Sequence, residues 1–248
     1  MTWARATPPV DGANADLPIR QHALARERVA AQHGPVTTRV DGAAEWDERY
    51  AGMEQVWSGR PNGALVAEAA DLRPGRVLDV GCGEGADAVW LAGRGWDVTA
   101  LDVSRVALDR AALHARQAGV VVRWVHAGLV GAPLGQGGFD LVSAQYPALA
   151  STPGGDAERA LLAAVAPGGT LLVVHHADID AEQAKGHGFD PADYVSPADV
   201  AALLDDRWRV EVDQRRPRHV DGGAGAHHTH DLVLRARRAA EHEESPRP

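Results

Sequence analysis

Val77-Leu78-Asp79-Val80-Gly81-Cys82-Gly83-Glu84-Gly85, followed at Asp102 by an acid that closes a second apolar run, decides the fold. Val77 to Val80 reads as a short buried strand, and the glycine turn feeds Ala86-Asp87-Ala88-Val89-Trp90-Leu91-Ala92, the start of an amphipathic helix. Glycine suits such a turn because the backbone must approach a ligand closely and adopt positive φ. The helix adds unpaired N–H groups and the positive end of its dipole. Val98 to Leu101 reads as a second strand, and Asp102 at its carboxyl end can accept both hydroxyls of a ribose. The stretch predicts a nucleoside-cofactor site at the carboxyl edge of a parallel sheet.

Gly81, Gly83 and Ala86 satisfy the loose dinucleotide pattern G-x-G-x-x-G/A. Gly81-x-Gly83-x-Gly85 preceded by Asp79 also resembles motif I of the class I S-adenosylmethionine-dependent methyltransferases. In that family the strand-end acid faces the methionyl ammonium of the cofactor; a carboxylate there suits a cation and repels a pyrophosphate. Val165-Ala166-Pro167-Gly168-Gly169-Thr170-Leu171-Leu172-Val173-Val174 resembles the family's helix-PGG-strand signature, and Gly138-Phe139-Asp140-Leu141-Val142 its fourth strand. Upstream, Trp46 to Tyr50 and Trp57 to Pro61 resemble the leading segment of the tellurite-resistance and thiopurine-type branch, which folds over the cofactor. The resemblance covers about residues 45 to 237. It implies S-adenosylmethionine as cofactor, held by Asp79, Gly81, Cys82, Gly83, Gly85, Asp102 and Val103, with Trp57 and Arg60 from the leading segment. The acid that often follows strand three and holds the adenine amino group is missing from Val125-His126-Ala127-Gly128-Leu129.

Composition narrows the remaining classes. A chain of 248 residues suits one α/β domain with a tail. A net charge of −9 argues against a nucleic-acid backbone as partner. Cys82 is the only cysteine, which excludes an intrachain disulfide and fits a reducing, cytoplasmic compartment. No apolar run approaches the ~20 residues of a membrane span, and the N-terminus lacks a signal-peptide core. The resulting expectation is a doubly wound, Rossmann-like, mostly parallel seven-stranded sheet with an antiparallel C-terminal hairpin strand, over residues 45–238. Residues 1–44 read as a flexible or partly helical arm, with one helix over Leu17 to Gln32, and 239–248 as a polar tail.

Within the domain, Ser104 can cap a helix carrying Val106, Leu108, Ala111, Ala112 and Ala115, and Val120 to Val125 is expected as strand three. A helix from Asp156 to Val165 and a strand from Thr170 to His175 follow. Ser196-Pro197-Ala198-Asp199 combines an N-cap, Pro at N1 and an acid at N3, predicting a helix through Leu204. Trp208 to Val212 and Thr229 to Arg237 are the closing antiparallel pair.

Candidate acceptor-side residues lie after strands four and five. Gln145 and Tyr146 could align a nucleophile, and His175 or His176 could take its proton; on one strand the two point to opposite faces, so at most one of them is expected to face the pocket. His187 could join them from the next loop. Solvated loop histidines are the bland alternative. Trp46, Tyr50 and Trp57 could stack on the cofactor or attract its sulfonium, or simply anchor the leading segment. Arg60 could meet the methionyl carboxylate. Cys82 has no cationic neighbour in sequence and reads as a packing residue. In His227-His228-Thr229-His230-Asp231, strand spacing puts His228 and His230 on one face, where with His175 or His176 they could act on the acceptor or bind metal; methyl transfer needs no metal, and none is expected.

The functional expectation is methyl transfer to a small-molecule acceptor carrying a sulfur, selenium or tellurium, oxygen or nitrogen nucleophile, with no nucleic-acid or membrane partner. Catalysis would rest on Tyr146, His175 and His176. The rivals are a non-catalytic S-adenosylmethionine-binding sensor or scaffold and an NAD-dependent oxidoreductase. The second would ordinarily need a Tyr-x-x-x-Lys pair, yet Lys185, the only lysine, has Ala181 four residues before it.

Overall fold

The computed structural model describes residues 42–134, 138–186, 190–218, 220 and 222–240. The expected helix over Leu17 to Gln32, nearly all of the 1–44 arm, His187 and most of the 239–248 tail lie outside them. In chain order the elements are α1 (Ala43–Ala51), α2 (Gly63–Glu68), β1 (Arg76–Val80), α3 (Ala86–Ala92), β2 (Asp97–Asp102), α4 (Arg105–Ala118), β3 (Arg123–His126) and β4 (Phe139–Gln145). Then come α5 (Asp156–Ala164), β5 (Val165–His176), α6 (Ala181–Gly186), a 3-10 turn (Pro191–Asp193), α7 (Pro197–Ala202), β6 (Trp208–Pro217) and β7 (His230–Arg238).

The strands form one seven-stranded sheet in the order β3-β2-β1-β4-β5-β7-β6. β3 through β5 are parallel, and β7 inserts antiparallel between β5 and β6. Strand order reverses between β1 and β4, so the carboxyl ends of β1, β2 and β4 open onto a common crevice. Apolar residues alternate across the sheet. Leu78, Val80, Leu171, Val173 and Leu234 join one buried cluster, whereas Val77, Leu172, Val174 and Val233 join the other. Both faces are covered, which is why these strands read as almost unbroken apolar runs.

Local chemistry sets the boundaries. Ser104 caps α4 by accepting the Ala107 N–H, and Ser196 with Asp199 forms a reciprocal capping box at α7. β3 starts at Arg123 rather than Val120, because its ladder with β2 begins at Thr99↔Arg123 and Val121 is left exposed. β5 instead starts early. Val165 already pairs with Phe139, and an irregularity carries the strand through Pro167-Gly168-Gly169 to the Leu141↔Thr170 pair. A Cβ at Gly169 would lie 2.9 Å from the carbonyl oxygens of both Ala166 and Phe139, so only glycine passes there. α7 stops at Ala202 instead of Leu204, and β6 extends to Pro217 instead of Val212.

β7 is the strand on which the antiparallel edge depends, and Leu234 is fully buried in it. Leu234→Ala is expected to cost about 2–5 kcal/mol, read from urea denaturation followed by circular dichroism; a cost below about 1 kcal/mol would show that this edge does not share the main core.

Candidate cofactor and acceptor site

The glycine turn after β1 has positive φ at Gly81, Gly83 and Gly85. A Cβ on Gly85 would lie 2.7 Å from the Ala111 Cβ, and one on Gly83 would lie 2.9 Å from the Tyr50 hydroxyl. The loop is pinched between α4 below and the leading segment above, which only glycines permit. Asp102, at the end of β2, steadies it by accepting the Gly83 N–H at 2.8 Å and the Ser104 N–H at 2.8 Å.

Asp79, Asp87 and Asp102 are all buried near this turn. Asp87 accepts the Asn62 backbone N–H at 2.7 Å and the Asn62 side-chain amide at 2.8 Å. Asp79 differs: its carboxylate has one backbone partner, the Ala88 N–H, while Oδ2 is sealed from solvent with no hydrogen-bond partner. Burial, followed by the charges of Asp87 and Asp102, pushes the Asp79 carboxyl well above its ordinary range. Burial likewise raises Asp102 and Asp87, although backbone donors partly offset it. Cys82 is buried and its thiol is raised well above the usual value, first by burial and then by Asp79, so it is a packing residue rather than a ready thiolate.

The leading segment roofs the turn through acids. Glu84 accepts the N–H groups of Val56 and Trp57 at 3.2 and 3.0 Å and pairs with Arg110 at 2.9 Å. Arg110 in turn donates to the carbonyls of Tyr50 and Met53, each at 2.6 Å. Asp47 accepts from Ser104 Oγ at 2.6 Å and the Val106 N–H at 3.1 Å, which holds its carboxyl below the ordinary range. Trp57 Nε1 donates to the Tyr50 hydroxyl at 2.8 Å. The cation over the Trp46 and Trp57 rings is the Arg49 guanidinium, at 5.2 and 5.7 Å. A positive partner from the chain itself thus lies against these rings.

One cleft of about 1220 Å³ collects these groups. Its walls include Asp79, Gly81, Cys82, Gly83, Gly85, Asp102, Val103, Trp57 and Arg60 at one end, and Tyr146, His175 and His176 at the other. Beyond β3 the wall is Gly128 and Leu129, with no acid. Against S-adenosylmethionine, these residues fit. The orphaned Asp79 oxygen calls for a cationic partner, the side-chain-free turn leaves backbone accessible, and Asp102 still has lone pairs for a diol.

At the far end, the antiparallel register sets His176 opposite Asp231. Tyr146, in a left-handed backbone conformation at φ 52, donates its hydroxyl to Asp231 Oδ2 at 2.8 Å and accepts from Arg218 Nε at 3.2 Å. The hydroxyl is thereby engaged, and Tyr146 offers its ring. His176 stacks between Tyr146 (4.3 Å) and His228 (4.0 Å), and His227 lies tilted against His228 at 4.1 Å. His228 and His230 do not share a strand face as the alternation implied. β7 begins at His230, and the turn before it, with positive φ at Gly222, Gly223 and Gly225, folds His228 back onto His176. His230 instead contacts Thr229 Oγ1 at 3.0 Å. Among the described residues no group of three or more His, Cys, Asp or Glu could hold a metal ion. The same turn meets the roof, since Ala224 N–H donates to the Val56 carbonyl at 3.0 Å. Sequence reasoning missed Glu84, Arg110, Arg218 and Asp231, all of which act across long separations.

Comparisons with known proteins agree with this geometry. Residues 77–169 match the family model of a methyltransferase domain. An uncharacterized methyltransferase of Mycobacterium tuberculosis (strain ATCC 25618 / H37Rv) is 38% identical over 123 residues, covering 49% of this chain and 61% of that protein. A malonyl-[acyl-carrier protein] O-methyltransferase of Pseudescherichia vulneris is 30% identical over 59% of this chain and 52% of its own length. The chain thus spans under two thirds of the curated relatives it matches. A structure described under the conversion of a disulfide bond into a thioacetal group during echinomycin biosynthesis superposes with TM-score 0.66 at 26% identity, over 82% of this chain and 95% of that one. Burkholderia thailandensis 1,6-didemethyltoxoflavin-N1-methyltransferase, with bound 1,6-didemethyltoxoflavin and S-adenosylhomocysteine, shares the fold with TM-score 0.55 at 21% identity, over 93% and 94%.

Two outcomes are expected from the site itself. Because burial raises Asp79 in the folded chain, its contribution to stability is full below the unfolded value of 3.8 and is lost as pH rises through the higher folded value. Asp79→Asn should therefore melt above the parent at pH 8, the gap closing toward pH 4, by differential scanning calorimetry; an equal or lower Tm at pH 8 would contradict the orphaned charge. Glu84→Ala removes one partner of a buried pair and should loosen the roof by about 3 kcal/mol. The check is faster limited proteolysis within residues 43–62, with the sheet intact by circular dichroism.

Proposed function

We infer that this chain, whose residues 77–169 match a methyltransferase domain, transfers the methyl group of S-adenosylmethionine to the sulfur atom of a small molecule. The observation that carries this reading is the single cleft, which joins an uncompensated buried carboxylate, Asp79, to a slot lined by Tyr146, His175 and His176. One end attracts a cation. The other offers imidazole nitrogen to a protic nucleophile.

When bound, S-adenosylmethionine supplies an electrophilic methyl carbon, whose bond to sulfur breaks with the electron pair left on sulfur as the acceptor's lone pair bonds to carbon. The chain's part is to bind, align and exclude water. Asp79 would hold the methionyl ammonium, Asp102 the ribose hydroxyls, and Arg60, on the cleft wall, the methionyl carboxylate. Gly81, Gly83 and Gly85 would let the backbone approach, with Cys82 packed beneath and Val103, Gly128 and Leu129 beside the base. Trp57 and its neighbours, clamped by Glu84, close the cleft from above, so that charge can dissipate in a dry pocket.

Sulfur is favoured among acceptor atoms by two observations. The leading segment, Trp46 to Tyr50 and Trp57 to Pro61, is similar to the tellurite- and thiopurine-type branch. The structural neighbour of 26% identity is named for chemistry at a disulfide. No membrane partner is invoked: among the described residues no helix is long and apolar enough to cross one.

Titration calorimetry with S-adenosylmethionine, S-adenosylhomocysteine and NAD is expected to show binding of the first two alone; binding of NAD alone would overturn the reading. Asp102→Asn should weaken S-adenosylhomocysteine by about 10- to 100-fold, as expected for charge-assisted hydrogen bonds of about 1.5–3 kcal/mol, while the chain stays folded. Formation of S-adenosylhomocysteine in the presence of a thiol panel separates an enzyme from a sensor.

A further inference from the structure

Two buried polar atoms in the acceptor half face each other without a hydrogen-bond partner: His176 Nδ1 and Asp231 Oδ1, 3.7 Å apart. A proton on Nδ1 would turn a donor toward that oxygen, a few tenths of an ångström outside hydrogen-bond reach. The ring is otherwise fixed, with Tyr146 at 4.3 Å on one face and His228 at 4.0 Å on the other. Its opposite edge, carrying Nε2, borders the cleft beside Gly225, where a Cβ would come within 3.1 Å of Nε2. Glycine at 225 keeps that edge uncovered by a side chain.

The neighbouring histidine is oriented the other way. His175 Nδ1 accepts the His176 backbone N–H at 3.1 Å, so in its neutral form its proton sits on Nε2 and that atom is a donor. His176, in contrast, has its Nδ1 directed at the Asp231 carboxylate.

We propose that His176 is the residue that receives the acceptor's proton, at Nε2, and that Asp231 is the positioning residue that fixes the Nδ1–H tautomer. This deepens the methyl-transfer reading and rests on it. The balance is simple: the acceptor's X–H bond gives its electron pair to X as X bonds to the methyl carbon, and the proton passes to Nε2. The imidazolium so formed faces Asp231. The acceptor class follows. It arrives still protonated, as an alkylthiol with an ordinary pKa near ~8.5 does, rather than as a preformed anion.

Among the described residues, the charged and titratable groups packed around His176 are compatible. Asp231 is balanced by Arg218 at 3.5 Å, and Arg218 is in turn tied to the Gly225 carbonyl at 2.9 Å and to the Tyr146 hydroxyl. Burial lowers His176, and burial followed by the charge of His176 lowers His228 to about 4, so both rings of the stack are neutral at pH 7. His175 is edge-on at 6.1 Å, and His227 lies tilted against His228 at 4.1 Å. Tyr146 is raised by burial and stays a phenol.

The decisive test is imidazole nitrogen NMR on the full chain labelled with [15N]histidine, His176 being assigned by the signals lost in His176→Gln. The expected result at pH 7.5 is a protonated Nδ1 and a bare Nε2 in the native chain, with the proton shifting toward Nε2 in Asp231→Asn. A native Nε2–H tautomer, or a spectrum that Asp231→Asn leaves unchanged, would overturn the proposal. The native measurement needs no variant to fold. Turnover adds a second arm: His176→Gln should slow methylation of 2-mercaptoethanol by about 100-fold at pH 7.5, with a loss at least about tenfold smaller for 4-nitrothiophenolate, which brings no proton. Equal losses would assign His176 a structural role and sink the base. Absence of turnover with either thiol, despite normal S-adenosylhomocysteine binding, would count against the sulfur reading instead, and the tautomer would still decide this one.

Discussion

Three carboxylates crowd the carboxyl edge of β1 and β2, and the chain supplies cations or donors for all but part of one. Asp87 is met by Asn62 and Asp102 by two backbone N–H groups, while Asp79 keeps an oxygen with nothing to bond. A buried anion left in that state costs free energy that the rest of the fold must offset. The cost makes sense where a cationic ligand headgroup completes the set. Ground-state stability is then lower than it need be, a common accompaniment of a binding site.

The same economy shapes the roof. Glu84 sits in the glycine turn, where its type looks arbitrary, yet its carboxylate gathers two backbone N–H groups and Arg110 from segments 26 to 28 residues away. Because Arg110 also binds the Tyr50 and Met53 carbonyls, the turn that approaches the cofactor and the segment that covers it are joined by one ion pair. Movement of the roof and rearrangement of the turn cannot be independent.

How much of this was legible in the sequence follows from the range of each interaction. The glycine turn, the acids at 79 and 102, the Ser104 and Ser196 caps and the seven-stranded arrangement are visible because strand period, cap chemistry and glycine placement are local signals. Boundaries slipped where pairing partners decided them, as at Arg123 and at Val165, where Phe139 extends the ladder back through the glycines. The acceptor half was legible only as a set of histidines. Alternation put His228 beside His230, but three positive-φ glycines turn the chain before β7 starts and return His228 to His176. Asp231 and Arg218 carried no signal at all. Their relation to Tyr146, 85 and 72 residues away, exists only once β7 lies between β5 and β6.

The two ends of the cleft treat charge in opposite ways, and the contrast bears on mechanism. Around Asp79 the negative charge is uncompensated, which favours a cation arriving with the cofactor. Around His176 burial holds the imidazole neutral, and Arg218 offsets the opposing pull of Asp231, so its lone pair is available. Methyl transfer from a sulfonium to a neutral protic acceptor removes a positive charge from the centre of the cleft and creates one on whatever takes the proton. An imidazole facing a buried carboxylate can receive that charge in a low-dielectric site without reorganising solvent. An acceptor that arrives already anionic would gain nothing from it, since its reaction with the sulfonium annihilates charge instead of moving it. The electrostatic layout of the cleft is therefore an argument about the protonation state of the substrate, made by residues that lie on neither glycine motif nor leading segment.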